Sequence, residues 1–494
     1  MASIPVSCNT DADYAVRFGS TSPQIVMRFL ALLAFASANT LAFAQDVQPG
    51  DVVALSTFSP AGAQHGTLAA AINEAGDAFL VWEAAVDAPG SAGEGLTRIE
   101  SAFLRRISGE TWRVFPTEIL GEADPAALGA NQVYAGGDTC SAPSVAAVGN
   151  DFVVAWTRSD LSNSGEIWIG SNVGQIECVS VEVPTVGGTT VSSAAPGVGH
   201  LVTAMNPLGA AGQPDILHTT GTDFLICYVN YLSGWNHADG QSYTFELAAI
   251  QGSLGIAGPS FGAPVVLDDL VEYDDLPANT SQPAAVEPSC ALDSFGNLVV
   301  AYSKYRSIGR WAASGRSFGW LTLARFSVGS FSALNEQIID VRGNGNFHHA
   351  ADLNRSKSNS QISLTVTDVD VLGNDTNQIG HYDLDFSSPA ADATITDFNV
   401  GKKNWQPIQA EALQQHGLRV ALTDLDFFGT AAVAFKRPNK PWSEVNRLRS
   451  IAPQGLTLGH LETDPLDVNR GWAILLVRGT AGSDDRAHFM MARL

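Results

Sequence analysis

Apolar and polar positions along the chain fall into a repeating strand pattern. The first instance runs Ala70-Ala-Ile-Asn-Glu-Ala-Gly76-Asp-Ala-Phe79-Leu-Val-Trp82. It recurs as Pro143-Ser-Val-Ala-Ala-Val-Gly149-Asn-Asp-Phe152-Val-Val-Ala-Trp156, as Pro214-Asp-Ile-Leu-His-Thr-Thr-Gly221-Thr-Asp-Phe224-Leu-Ile-Cys-Tyr228, and as Pro288-Ser-Cys-Ala-Leu-Asp-Ser-Phe-Gly296-Asn-Leu298-Val-Val-Ala-Tyr302. Each is a short apolar strand, a turn of Gly, Asn and Asp, and a second apolar strand ending in an aromatic residue. The turn residues tolerate the backbone conformations that tight hairpins demand. A second strand that is apolar at every position, such as Phe152–Trp156, must be covered on both faces.

A further pair of strands follows each hairpin. Arg98–Arg105, Tyr243–Ile250 and Trp320–Phe326 read as third strands, and their alternation predicts one half-exposed face. Trp112–Ile119 and Ala263–Leu267 read as fourth strands. The unit is therefore four strands, repeated at about seventy residues. Three shorter units follow, around Gln361–Thr367 with Gln378–Leu384, Arg419–Thr423 with Ala431–Phe435, and Ala473–Val477 with His488–Ala492. An alternative register aligns Leu425–Phe435 with Leu292–Tyr302 and would shift the assignment by one strand. Asp51–Thr57 is a strand with no unit of its own, and is expected to complete the last unit.

Units of four strands at this period are the signature of a β-propeller. The chain resembles the β-propeller superfamily of secreted bacterial proteins, over nearly all of its length after residue 44. The resemblance rests on the strand–Gly/Asn turn–strand–aromatic unit. It implies an all-β, seven-bladed β-propeller of four-stranded blades over 45–494, with its usual site at the channel mouth and surrounding loops, and it implies no activity. Six or eight blades, or tandem β-sandwiches, are the alternatives.

Composition changes the picture in two ways. The chain has 494 residues, with 27 Lys+Arg against 50 Asp+Glu and a net charge of -23. Nucleic-acid binding needs clustered basic residues, so that class is excluded. The charged fraction of 16% and hydrophobic fraction of 45% suit stacked sheets with large apolar faces. Met27–Ala44 carries Arg28, an apolar run and an Ala42-Phe43-Ala44 end, the pattern of a secretory signal peptide cleaved after Ala44. Residues 1–26 are polar and patternless, and translation is expected to start at Met27. The mature chain, with no transmembrane segment, is then secreted, periplasmic or extracellular. Cys140, Cys178, Cys227 and Cys290 would meet an oxidising environment. Cys140–Cys178 is the expected bridge if one forms, with four free thiols as the alternative.

Candidate chemistry lies first where the units begin. His65, Gln213, Gln282, His348, His349, Gln406 and His460 stand near the first strands, which line the channel of a propeller. Together they could form a polar ring for a transition metal or for sugar hydroxyls; alternatively Gln-Pro simply opens a strand. Asp368, Asp370 and Asp375, around Gly373, echo calcium loops, which need several oxygens and a sharp turn; Asp424 and Asp426 before Gly429 are a weaker version. Asp268, Asp269, Glu272, Asp274 and Asp275 form an acidic run expected in a loop. Trp235 and Trp311 lie in expected inter-strand insertions, where an indole can stack on a sugar ring or be buried.

Enzyme signatures are sparse. The Trp82 unit lacks the sialidase-type Asp-box, and no Gly-x-Ser-x-Gly elbow, His-Glu-x-x-His helix or phosphate-binding Gly-rich loop is present. The leading expectation is a ligand-binding or protein-interaction scaffold, for a protein or glycan partner. The alternative is a carbohydrate-active hydrolase or lyase, for which Glu287 and Asp352 near first strands are the carboxylates to inspect. A metal-dependent redox enzyme using the histidines is the third.

Overall fold

The computed structural model describes residues 45–55, 65–86, 97–122, 138–160, 174–192, 200–202, 210–237, 240–273, 288–306, 318–342, 346–355, 362–370, 375–397, 406–413, 418–424, 431–436, 443–447, 457–467, 470–477 and 488–493. The expected signal peptide and N-terminal extension lie outside them.

All regular structure among the described residues is β, in seven antiparallel sheets. Sheet 1 runs His65–Ile72, Ala78–Ala85, Thr97–Ser108 and Thr111–Val114. Sheet 2 begins with Asp138–Val148 and Asp151–Asp160, and continues through Gln175–Glu182. Sheet 3 comprises Ala210–Thr220, Asp223–His237, Gly240–Gly255 and Gly258–Phe261, with Val265–Tyr273 also paired to its third strand. Sheet 4 is Ser289–Leu292, Leu298–Arg306, Phe318–Phe326 and Ala333–Arg342. Sheets 5 and 6 start at Asn346–Arg355 and Gln406–Leu413.

Sheet 7 is Thr457–Thr463, Gly471–Val477, His488–Arg493 and, from the other end of the chain, Val52–Ala54. Val52 pairs with Met490 and Ala54 with His488, so the orphan N-terminal strand does complete the last sheet. Just before it, Gln45–Val47 pairs with Thr111–Val114 at the edge of sheet 1. Between the two, Gly50 adopts φ +89° and donates its N–H to Met491 O at 2.8 Å. Eleven residues thus stitch sheet 7 to sheet 1.

The first strands of consecutive sheets touch one another, and that of sheet 7 touches that of sheet 1, which completes a cycle. None of the described sheets closes on itself; the cycle is made by packing between sheets. The architecture is propeller-like, and the strands Leu418–Asp424 and Ala431–Lys436 are second and third in sheet 6. The alternative register at Leu425–Phe435 is therefore not the one adopted.

The core lies between sheets. Because side chains alternate along a strand, the second strands of sheets 1 to 4 each feed two cores. Leu80 and Trp82 face the core shared with sheet 7, whereas Phe79 and Val81 face sheet 2. Phe152, Val154 and Trp156 meet the latter, while Val153 and Ala155 turn to sheet 3. This explains strands that are apolar at every position. Trp82, Trp156 and Tyr302 are wholly buried.

The third strands depart from expectation. Several of their polar residues, Glu100, Glu177 and Arg325 among them, are buried with partners instead of facing water. Glu100 and Glu177 are paired with Arg98 and Arg158, each at 2.9 Å. Arg325 is 1% exposed and bonds Asp293, and its guanidinium also donates to Ser388 O at 3.0 Å and Ala391 O at 2.9 Å, in the turn that joins Asp375–Phe386 to Ala393–Asp397 of sheet 5. Alternation in these strands reflects buried charge pairs that a sequence pattern reads as solvent-facing.

The first hairpin turns repeat a local device. Asp293 Oδ1 accepts the N–H groups of Phe295 and Asn297, and Asn73 Oδ1 accepts those of Ala75 and Asp77. Gly76, at φ +82°, closes the turn where a Cβ would come within 2.7 Å of Arg106 Cδ.

Candidate functional site

The inner belt of the ring is built by bulges in the first strands. Pairing slips at Ser141/Ser144, Gly212/Asp215 and His349/Asp352, and at His65/Leu68 and Pro407/Gln409. Extra residues at these points turn backbone N–H groups out of the ladder. Ala142 and Gln213, at φ 49° and 53°, occupy equivalent bulge positions. The Ala142 N–H is accepted by Glu83 Oε1 at 2.6 Å and the Gln213 N–H by Thr157 Oγ1 at 3.0 Å. Glu83 and Thr157 lie within the preceding sheet's second strand, each directly after its buried tryptophan, Trp82 or Trp156.

A second line of bonds runs beside the first. Ser144 Oγ accepts Ile216 N–H at 3.0 Å and donates to Asp215 Oδ1 at 3.1 Å. Asp215 Oδ2 accepts Cys290 N–H at 2.7 Å, and Ser289 Oγ accepts Leu353 N–H at 2.9 Å. Ser144, Asp215 and Ser289 each follow a proline, and each braces the next sheet at the same register. Burial raises the carboxyl pKa of Glu83 and of Asp215 above the ordinary range, against the lowering effect of the bonds each accepts. The belt's oxygens are used to join sheets.

A cleft of about 590 Å³ opens between sheets 3 and 4. Leu267 and Phe326 contribute apolar surface, and Asp268, Asn335 and Glu336 contribute polar groups. At its base the buried Tyr302 hydroxyl donates to Asp268 Oδ2 at 2.5 Å. Burial, and then the Asp268 charge, push the phenol far above its usual pKa, so Tyr302 remains a neutral donor. Asn335 is oriented by its Nδ2 donating to Asp392 Oδ1 at 2.7 Å. Val266 at the cleft is 48% exposed, an aliphatic surface beside the polar groups.

The sequence candidates fall as follows. His65 and His349 stand at equivalent bulge positions in sheets 1 and 5, with His348 and Gln406 one residue earlier in register in sheets 5 and 6. The Gln213 backbone is engaged as described. His460 sits mid-strand in sheet 7, its Nε2 3.3 Å from Glu462 Oε1. Gln282, Glu287 and Trp311 lie outside the described residues. Asp352 follows the sheet 5 bulge, at the register position of Ser144 and Asp215. Asp368 and Asp370 close one strand of sheet 5 and Asp375 opens the next. Among the described residues no three His, Cys, Asp or Glu side chains gather as metal ligands.

Three expectations are corrected. Trp235 is not in a loop: it pairs with Ser242 in a hairpin that continues to His237 and Gly240, so the insertion lengthens the sheet. Asp268, Asp269 and Glu272 belong to the strand Val265–Tyr273, because Val265, Val266, Leu267 and Val271 supply enough β-forming side chains to pair. Cys140 and Cys178 do not meet: they occupy cores on opposite faces of sheet 2, and no disulfide joins them in the structure. Glu83 and Asp215 were missed as belt residues. Their signal was positional, one residue after Trp82 and one after Pro214.

No protein-family model and no curated protein matches the chain. Among solved structures it is similar to the NanB sialidase of Streptococcus pneumoniae (9% identity, 92% of this chain and 72% of that one, TM-score 0.45). It is also similar to the BP39L lectin of Burkholderia pseudomallei (12% identity, 87% and 95%, TM-score 0.45) and to an alpha-L-arabinanase of Penicillium chrysogenum (11% identity, 71% and 92%, TM-score 0.42). At such low identity none of these names transfers to this chain.

Proposed function

We propose that the chain is a secreted, seven-bladed β-propeller that acts as a ligand-binding scaffold, with the cleft between sheets 3 and 4 as its site. The seven sheets and the cycle of touching first strands support the blade count. The Met27–Ala44 pattern supports export; among the described residues no helix is long and apolar enough to cross a membrane. The observation that carries the binding reading is the cleft itself. Oriented carboxylate, amide and phenol groups stand beside aliphatic surface, the mixture that suits a polyhydroxylated ligand such as a sugar. Asp268, Glu336 and the net charge of -23 disfavour an anionic one.

A glycan array probed with wild type, Asn335→Leu and Glu336→Gln tests this. Wild type is expected to bind a neutral or cationic glycan, and both variants to lose at least tenfold in affinity. No binding by wild type, or equal binding by the variants, would overturn the site. A hydrolase with its site on the axis is the second reading, favoured by the raised pKa of Glu83 and Asp215. It requires turnover of a chromogenic glycoside that Asp215→Asn abolishes. Calcium at Asp368, Asp370 and Asp375, and a metal or sugar at the histidine and glutamine positions, are tested by calorimetric titration of the same protein.

A further inference from the structure

Cys227 and Cys290 belong to different sheets but to one apolar cluster, together with Leu225, Val300 and Tyr302. Asp215 places them side by side. It is the direct cross-strand partner of Cys227 in sheet 3, a separation of about 5 Å between Cα atoms in an antiparallel pair. The same Asp215 accepts Cys290 N–H at 2.7 Å, and the Cys290 thiol donates to Asp215 O at 3.6 Å. Cys227, on the same face of sheet 3 as its cross-strand partner Asp215, and Cys290 therefore turn their side chains into one apolar cluster on either side of Asp215. Cys140 and Cys178 have no such relation, since a sheet separates them.

We propose that Cys227 and Cys290 form a disulfide joining sheets 3 and 4, the two walls of the cleft. Two S–H bonds break and one S–S bond forms. The two electrons and two protons pass by thiol–disulfide exchange to a small-molecule disulfide such as oxidised glutathione, which leaves as two thiols. The neighbouring Cys227 thiol, then burial and the Asp215 carboxylate, hold the Cys290 thiol well above its ordinary pKa. The nucleophilic thiolate is therefore scarce once the sheets have docked, and the bridge forms as they dock. The cysteines are about sixty residues apart, so the closed loop removes much freedom from the unfolded chain.

The test is to refold denatured, reduced protein in a mixture of reduced and oxidised glutathione, block free thiols with iodoacetamide, and map unreduced peptides by mass. The expected result is one linked peptide pair containing Cys227 and Cys290, lighter by two hydrogens, with Cys140 and Cys178 alkylated. Alkylation of both Cys227 and Cys290, or linkage of either to another cysteine, overturns the proposal. A second readout compares melting midpoints. Protein refolded oxidatively should melt about 5 °C above protein refolded in dithiothreitol, and that difference should vanish in Cys227→Ser/Cys290→Ser. Equal midpoints for the two wild-type preparations count against the bridge. Neither readout depends on any ligand.

Discussion

Arg325 offers the sharpest test of how the sheets are held together. Its guanidinium bonds the Asp293 carboxylate, itself wholly buried, and reaches two carbonyls of the adjacent sheet at 3.0 and 2.9 Å. It also lies 4.1 Å from the centre of the Phe386 ring. Arg325→Met keeps the aliphatic stem and removes the charge. It strands a buried carboxylate, which costs about 3–5 kcal/mol, and it leaves two carbonyls without charged donors, at about 1.5–3 kcal/mol each when water cannot replace them. Ser388 is exposed, so water recovers part of that loss, and the net expectation is about 5 kcal/mol. Asp293→Asn in the same background should restore about 2 kcal/mol, because it neutralises the stranded charge while its side-chain oxygen can still accept the N–H groups of Phe295 and Asn297. Urea unfolding followed by tryptophan fluorescence measures both. A midpoint for Arg325→Met corresponding to a loss under 1 kcal/mol would refute the reasoning. So would a double variant less stable than Arg325→Met alone.

Other consequences are quickly checked. Asp215 has a raised pKa when folded, so the folded state holds its proton at pH values where the unfolded chain has released it. Stability from this group is greatest below the unfolded carboxyl pKa of about 4 and falls as pH rises toward the folded value; Asp215→Asn should flatten that decline in denaturation curves taken from pH 4 to 7. Trp156→Ala should cost about 3–5 kcal/mol in urea unfolding, since the ring is wholly buried between sheets 1 and 2. Gly76→Ala should lose more than about 1 kcal/mol, because the position combines φ +82° with the approach of Arg106.

Much of the architecture is legible in the chain. Trp82, Trp156, Tyr228 and Tyr302 each mark the apolar run of a second strand that is buried on both faces, although the strands themselves continue three to nine residues further, and Asp51–Thr57 is recognisable as a strand in need of partners. Local pattern suffices there because the hairpin is a local object. The third strands mislead, because Glu100 and Arg325 look solvent-facing until their partners are known. Asp268 is misplaced for a related reason, since an acidic run reads as loop although its valines pair. The belt and the cysteine contact depend on residues some seventy positions apart meeting through a bulge. A one-residue slip at Gly212/Asp215 decides which side chain braces the next sheet, and nothing in the local sequence marks that slip except the proline before Asp215.

The most direct test of the binding claim is a crystal of the protein soaked with its strongest glycan-array ligand. A scaffold that binds through the sheet 3–sheet 4 cleft predicts the ligand against Asp268, Asn335 and Glu336, over Leu267 and Phe326. A ligand found instead beside Glu83 and Asp215 on the inner belt would contradict that account and favour a site on the axis.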